Sequence, residues 1–184
     1  MRKLIIFGAS GHADVVADIA MKNGYEIEGF LDDNESISEV IGIKKIGKVS
    51  DCLDYKDSCD FAIGIGNNAV RKKIFETYPD LNYVTLIHPT ASIGINVEIK
   101  KGTVVMPMTV VNACATIGDF TLIAPNATVC GVCNIGNEVY MGAGSVVKQV
   151  INICDNVTTG SGSVIVKDIT EPGTYIGVPV KKIN

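Results

Sequence analysis

Residues 91–129 read ASIGINVEIKKGTVVMPMTVVNACATIGDFTLIAPNATV, and one spacing within them decides the fold. Every sixth residue from Ile93 is Ile99, Val105, Val111, Ile117, Ile123 and Val129. The register continues without a slip through Ile135, Met141, Val147, Ile153, Thr159 and Ile165, so twelve of these thirteen positions are aliphatic or Met. Side chains recur on one face about every 3.6 residues in a helix and every two in a strand, so neither requires a period of six. A triangular coil with one inward corner residue on each short side does require it.

A second set, two residues before each anchor, is small or β-branched: Ala91, Val97, Thr103, Thr109, Ala115, Thr121, Ala127, Cys133, Val139, Ser145, Ile151, Val157 and Ser163. A narrow triangular interior demands such residues. Gly follows many anchors, at 94, 118, 136, 142 and 160, and Asn96, Asp119, Asn126, Asn137 or Asp155 stands nearby. These read as turn residues that tolerate positive φ. Three hexapeptides close one coil, so the array from about Ala91 to Lys167 makes roughly four coils of a parallel β-helix. A β-sandwich of many short strands is the competing reading, but its spacing would drift.

Working outward, the first part of the chain has a different rhythm. Lys3 to Phe7 is an apolar strand, followed by the glycine turn Gly8-Ala9-Ser10-Gly11-His12. Apolar residues at 15, 16, 19 and 20 predict a helix over Asp14 to Met21. Tyr25 to Leu31 reads as a second strand ending in Asp32-Asp33, and Phe61 to Ile65 as a third ending in Gly66-Asn67-Asn68. A helix follows from about Ala69 to Phe75. This order predicts a small Rossmann-like α/β domain with a parallel sheet. We place its boundary so that residues 1–86 form the α/β domain and residues 87–184 the β-helix domain, with His88-Pro89 at the junction as a structural pair.

Composition narrows the function. A chain with 47% hydrophobic and 20% charged residues is globular rather than disordered. A net charge of -4 and the lack of a basic stripe argue against a nucleic-acid partner. Arg71-Lys72-Lys73 is the one run of three basic residues and reads as solvated surface. The apolar run Leu4 to Phe7 is too short for a signal peptide or a membrane span, so the expectation is a cytoplasmic protein with no membrane partner. Cys130 and Cys133 have zinc-like spacing, but no second pair or nearby His completes a set, so no metal is expected and the six Cys read as free thiols.

The candidate ligand site lies in the α/β domain. The glycine turn follows a strand, opens a helix and stands about twenty residues before an acidic pair. Backbone N–H groups at such a helix start cradle a phosphate, and a carboxylate at the end of the second strand accepts hydrogen bonds from a ribose or base. Ser10, Gly11, His12, Asp32 and Asp33 are therefore the candidate substrate-binding residues.

With LIIFGASGHADVVADIA, GFLDD, AIGIGNN followed by Arg71, IHPTASIG, the hexapeptide array and the terminal GTYIGVP, the chain resembles the sialic acid O-acetyltransferase (NeuD-like) family. That family includes bacterial N-acetyltransferases acting on UDP-linked 4-amino sugars. The resemblance implies a left-handed β-helix, a nucleotide sugar bound by the α/β domain, acetyl-CoA lying against the coil near Gly131 and Ala143, and a homotrimer with active sites between subunits. It implies an acyltransferase acting on an amino or hydroxyl group of a nucleotide-linked sugar.

The resemblance fails at the chemistry. The family's general base is a His followed by an acid just before an Ile-Gly pair. In Val111-Asn-Ala-Cys-Ala-Thr-Ile-Gly118, Ala113 stands in place of the His and Cys114 in place of the acid. A second family His falls at Leu122. No catalytic residue is therefore assigned, and three readings stand: a transferase whose acceptor amine arrives neutral or whose thioester is polarised by coil N–H groups, a catalytically weak or inactive nucleotide-sugar-binding homologue, and a transferase that moves a different acyl group or uses another acceptor. Cys114 has no His partner to activate it as a nucleophile.

Overall fold

The computed structural model describes residues 3–184, which divide by their contacts into two units, one ending at Leu86 and the other beginning at Ile87. The first is an α/β layer structure. Its strands are β1 (Lys3–Phe7), β2 (Ile27–Leu31), β3 (Glu39–Val40), β4 (Ile43–Gly47) and β5 (Cys59–Ile63), in the spatial order β3-β4-β2-β1-β5. β1 pairs in parallel with both β2 and β5, and β4 in parallel with β2. The sheet is not wholly parallel, because the short β3 runs antiparallel on the edge of β4. Leu4, Ile5, Ile6 and Phe7 are all fully buried, as expected of a central strand whose two faces are both covered.

Helix α1 (Gly11–Lys22) buries Ala13, Val16, Ala17, Ile19 and Ala20. It begins three residues before the position the apolar pattern suggests, because the glycine turn leads straight into it. Helix α2 (Asn68–Thr77) is capped by Asn67, whose Oδ1 accepts the Val70 N–H at 3.1 Å. Such a cap stabilises a helix by about 1 kcal/mol. A 3-10 segment, Val49–Tyr55, lies between β4 and β5 and carries no strong periodic signal in the sequence.

The second unit is a parallel β-helix. Its strands are mostly two residues long and pair at intervals of eighteen, as in Val110 with Thr128, Thr116 with Asn134 and Leu122 with Tyr140. The interior is built from both periodic sets, and every anchor from Val105 to Ile165 is buried. Full burial of one such aliphatic side chain contributes about 1.5–3 kcal/mol. The first two anchors differ: Ile93 is exposed and Ile99 half-buried, because no earlier coil lies beyond them to stack on that end. The interior threonines are satisfied locally, whereas the buried Ser145 and Ser163 hydroxyls meet no partner among the described residues. Thr103 donates to the Gly118 carbonyl at 2.7 Å and accepts the Thr121 N–H, while Thr121 donates to the Gly136 carbonyl at 2.9 Å.

The corners correct the reading of the glycines. Every sixth residue from Asn96 to Gly162 has positive φ, between 52° and 68°. That position lies three residues after each anchor and is occupied by Asn, Gly, Met, Cys, Phe, Val and Glu alike. The glycines directly after the anchors are not left-handed. They are required by stacking: a Cβ on Gly118 would come within 2.5 Å of the Gly136 carbonyl one coil later. Asp119, Asn137 and Asp155 likewise serve the stack. Asn137 Oδ1 accepts the Asp119 N–H at 2.8 Å, and Asp155 Oδ1 accepts the Asn137 N–H at 2.7 Å. The chain ends with Gly173–Gly177 laid in parallel on the strand Val157–Thr159, then a turn into the antiparallel strand Val180–Lys182.

Candidate functional site

The first unit contains a cleft of about 580 Å³ outside the C-terminal ends of its strands. One wall is Gly8 with Asp32 and Asp33. The opposite wall is a single face of α2, formed by Val70, Lys73, Ile74 and Thr77, with Tyr78 at the helix's C-cap. Val49 and Ser50 close one side and Ile65 another. Gly8 must be glycine here, since its φ is +91° and a Cβ would strike the Ile65 side chain at 2.5 Å. The Tyr78 ring stacks on Phe7, with centroids 6.5 Å apart, and so gives the cleft an aromatic border. Burial raises the Tyr78 phenol pKa, and negative charge including that of Asp33 adds to the shift.

The five sequence candidates separate on the structure. Asp32 and Asp33 line the cleft. Ser10 and Gly11 are exposed at the start of α1, outside the cleft lining. His12 is half-buried on the first turn of α1 and is not a lining residue either. Burial, reinforced by the Arg71 charge, lowers the His12 pKa to about 4, so the imidazole is neutral at pH 7. Its Nε2 is buried and meets no hydrogen-bond partner among the described residues.

Arg71 overturns the reading of its basic run as solvated surface. It is 2% exposed, and its guanidinium donates to the Gly66 carbonyl at 2.9 Å and the Ile65 carbonyl at 3.4 Å. The side chain thus clamps the loop between β5 and α2. Sequence reasoning also passed over Lys73 and Tyr78. Their signal was the helical spacing 70, 73, 74, 77, 78, which puts apolar and polar groups on one face.

On the coil, Ala113 and Gly131 occupy the same corner in successive turns: the Ala113 carbonyl accepts the Val132 N–H at 3.1 Å, and a Cβ on Gly131 would lie 3.2 Å from that oxygen. Ala143 belongs to another corner, at the far end of the flat face formed by Val110, Thr128 and Val146. The three corners differ in where their N–H groups go. One is filled by the Asx side chains at 137 and 155, and another carries Pro107 and Pro125. On the third, the N–H groups of Ile95, Ala113, Gly131 and Gln149 meet no acceptor among the described residues. That corner is a column of open backbone donors, able to bind carbonyl oxygens or a developing oxyanion. Cys114 is exposed beside it with φ +62°, and Leu122 is buried.

Comparison with known proteins places the chain. The PglD N-terminal domain family matches residues 3–78. The acetyltransferase domain of PglB from Neisseria gonorrhoeae has the same fold over 100% of both chains, with 32% identity and a TM-score of 0.85. The chain belongs to the hexapeptide-repeat sugar-nucleotide acetyltransferases. This broader family replaces the narrower resemblance to sialic acid O-acetyltransferases. Like the other members of its fold, the family's β-helix is left-handed, and so is this one. The PglB domain has also been solved in complex with acetyl coenzyme A, at 32% identity and a TM-score of 0.84 over 99% of each chain. A perosamine N-acetyltransferase variant from Caulobacter crescentus, in complex with CoA and GDP-perosamine, shares the fold at 24% identity and a TM-score of 0.85, over 99% of this chain and 97% of that one. An uncharacterized protein of Acanthamoeba polyphaga mimivirus is 38% identical over 111 residues. The match takes in 60% of this chain but spans only about a fifth of that relative (22%).

Two further observations bear on this family member. No helix is long and apolar enough to cross a membrane among the described residues. Nor do any three His, Cys, Asp or Glu side chains among them come together as a metal site.

Proposed function

We propose that this chain transfers the acetyl group of acetyl-CoA to an amino or hydroxyl group of a nucleotide-linked sugar. The observation that carries the reading is the full-length match, at 32% identity, to the PglB acetyltransferase domain, a protein that binds acetyl coenzyme A. The α/β cleft would hold the nucleotide, with the start of α1 at Ser10 and Gly11 facing phosphate. The thioester arm would lie along the coil near Gly131 and Ala143, in a homotrimer of cyclic symmetry.

The open N–H column supports a route that needs no side-chain base. The lone pair of a neutral acceptor amine attacks the thioester carbonyl carbon. The carbonyl oxygen takes up negative charge, which the N–H groups of Ala113 and Gly131 are suited to stabilise. The C–S bond then breaks, the CoA thiolate leaves, and the proton shed by the new amide nitrogen passes to the thiolate or to solvent. Donors of this kind are worth about 10²–10³-fold each in rate. A base would add about 10²–10⁴-fold. The second reading, a nucleotide-sugar binder with little activity, is favoured by Ala113 and Cys114 standing where the family's dyad belongs.

The test is acetyl transfer from acetyl-CoA to UDP-, dTDP- and GDP-linked amino sugars by the natural chain and by A113H/C114D. Rapid transfer by the natural chain, with no gain in the double variant, supports the base-free route. A large gain from a negligible start supports the binding-only reading. Failure of both proteins to bind acetyl-CoA removes the proposal.

A further inference from the structure

The two neighbouring carboxylates at the end of β2 do different work. Both oxygens of Asp32 are already engaged by backbone: Oδ2 accepts the Ala9 N–H of the glycine turn at 2.8 Å, and Oδ1 accepts the Asn34 N–H at 2.7 Å. Asp33 is engaged on one side only, where Oδ1 accepts the Val49 N–H at 3.0 Å. Its Oδ2 has no partner among the described residues, and the residue is exposed in the cleft. The Ala9 N–H is one of the donors that a glycine turn would otherwise offer to a phosphate. In this chain it is taken, and taken by a residue twenty-three positions away.

We infer that Asp32 is a positioning residue that ties the glycine turn to the end of β2, and that Asp33 alone supplies the ligand-facing carboxylate. This rests on the reading of the cleft as a nucleotide site. The physical basis is the count of acceptor positions. Asp32 spends its best-directed lone pairs on two charge-assisted bonds that fix the turn, and a ribose or base approaching it meets oxygens already facing backbone donors. Asp33 presents an open acceptor opposite Lys73 and beside Tyr78. The consequence is a division of the ligand: Asp33 governs the nucleoside end, while Asp32 acts through the turn on the diphosphate end.

The experiment measures binding of UDP and of uridine, and in parallel of GDP and guanosine, to the full-length chain and to its D32N, D32A and D33N variants. Calorimetry reports the nucleotides, and saturation-transfer NMR competition reports the weaker nucleosides. In D33N the amide oxygen stays with the Val49 N–H and the NH2 donor replaces the open Oδ2, so the variant should weaken nucleoside and nucleotide by the same factor, about tenfold for one bond to a charged group. D32N should leave the nucleoside within twofold and weaken the nucleoside diphosphate about tenfold. D32A should weaken the diphosphate further, because the amide oxygen of Asn still accepts one of the two N–H groups. A merely structural role for Asp32 would lower the melting temperature without separating nucleotide from nucleoside. The inference is overturned if D32N weakens nucleoside and nucleotide equally, if it changes neither, or if D33N spares the nucleoside. If the natural chain binds none of the four probes, the nucleotide reading of the cleft falls and the inference falls with it. That result is distinct from binding with the wrong pattern.

Discussion

Gly118→Ala isolates what holds the coils together. The backbone at Gly118 is not left-handed, so alanine meets no conformational barrier there and its whole cost is contact. The added methyl would lie 2.5 Å from the Gly136 carbon and oxygen and 2.6 Å from the Asn137 nitrogen, where ordinary contact begins near 3.4 Å. These are backbone atoms and cannot swing aside. They are also pinned: Gly118 N–H donates to Ile135 O at 2.8 Å, Gly136 N–H to Ile153 O at 2.8 Å, and Asp119 N–H to Asn137 Oδ1 at 2.8 Å. Relief must open the coil-to-coil bonds at Gly118 and Asp119, worth about 1 kcal/mol each. Overpacking adds about 1–3 kcal/mol. The expected loss is about 3–5 kcal/mol, a large part of the roughly 5–15 kcal/mol that a domain possesses. Two controls bracket it. Gly144 has φ +65° and open space around its Cβ position, so Gly144→Ala should cost about 1 kcal/mol through conformation alone. Gly11 has neither constraint, and Gly11→Ala should stay within about 0.5 kcal/mol of the natural chain. Urea unfolding followed by circular dichroism, at one fixed protein concentration, reads all three. A Gly118→Ala variant within 0.5 kcal/mol of the natural chain, or one less affected than Gly144→Ala, would refute the stacking argument.

Other outcomes follow from the same structure. The His12 imidazole has a folded pKa of about 4, below the ordinary 6.5 of the unfolded chain. Its contribution is therefore complete above pH 6.5 and is lost as pH falls from there towards 4, by up to about 3 kcal/mol at 1.36 kcal/mol per pH unit. His12→Gln should flatten that part of the stability profile, and an NMR titration showing His12 protonating near pH 6.5 would contradict it. Arg71→Met removes the neighbouring charge and the clamp on Ile65 and Gly66, so the His12 pKa should rise and the α/β unit lose about 2–4 kcal/mol. An unchanged His12 pKa would show that burial alone sets it. Sedimentation should give a mass near three chains, and a concentration-independent monomer would defeat the proposed homotrimer.

The sequence by itself determined the β-helix. A period of six is the direct imprint of a triangular cross-section, and the anchors from Val105 to Ile165 lie inside because nothing else satisfies that spacing. It also located the glycine turn and the acidic pair, since strand, turn, helix and strand recur at fixed separations in such folds. Other features depend on which atoms meet across long stretches of chain, and only the tertiary structure decided them. The glycines after the anchors looked like turn residues, yet their role is to admit the next coil eighteen residues away. Arg71 looked like a surface charge, but the loop carbonyls of Ile65 and Gly66 are what bring it inside. Asp32 and Asp33 are chemically identical in the sequence. They part company because the Ala9 N–H reaches one and the Val49 N–H the other, leaving a single carboxylate oxygen open to the cleft.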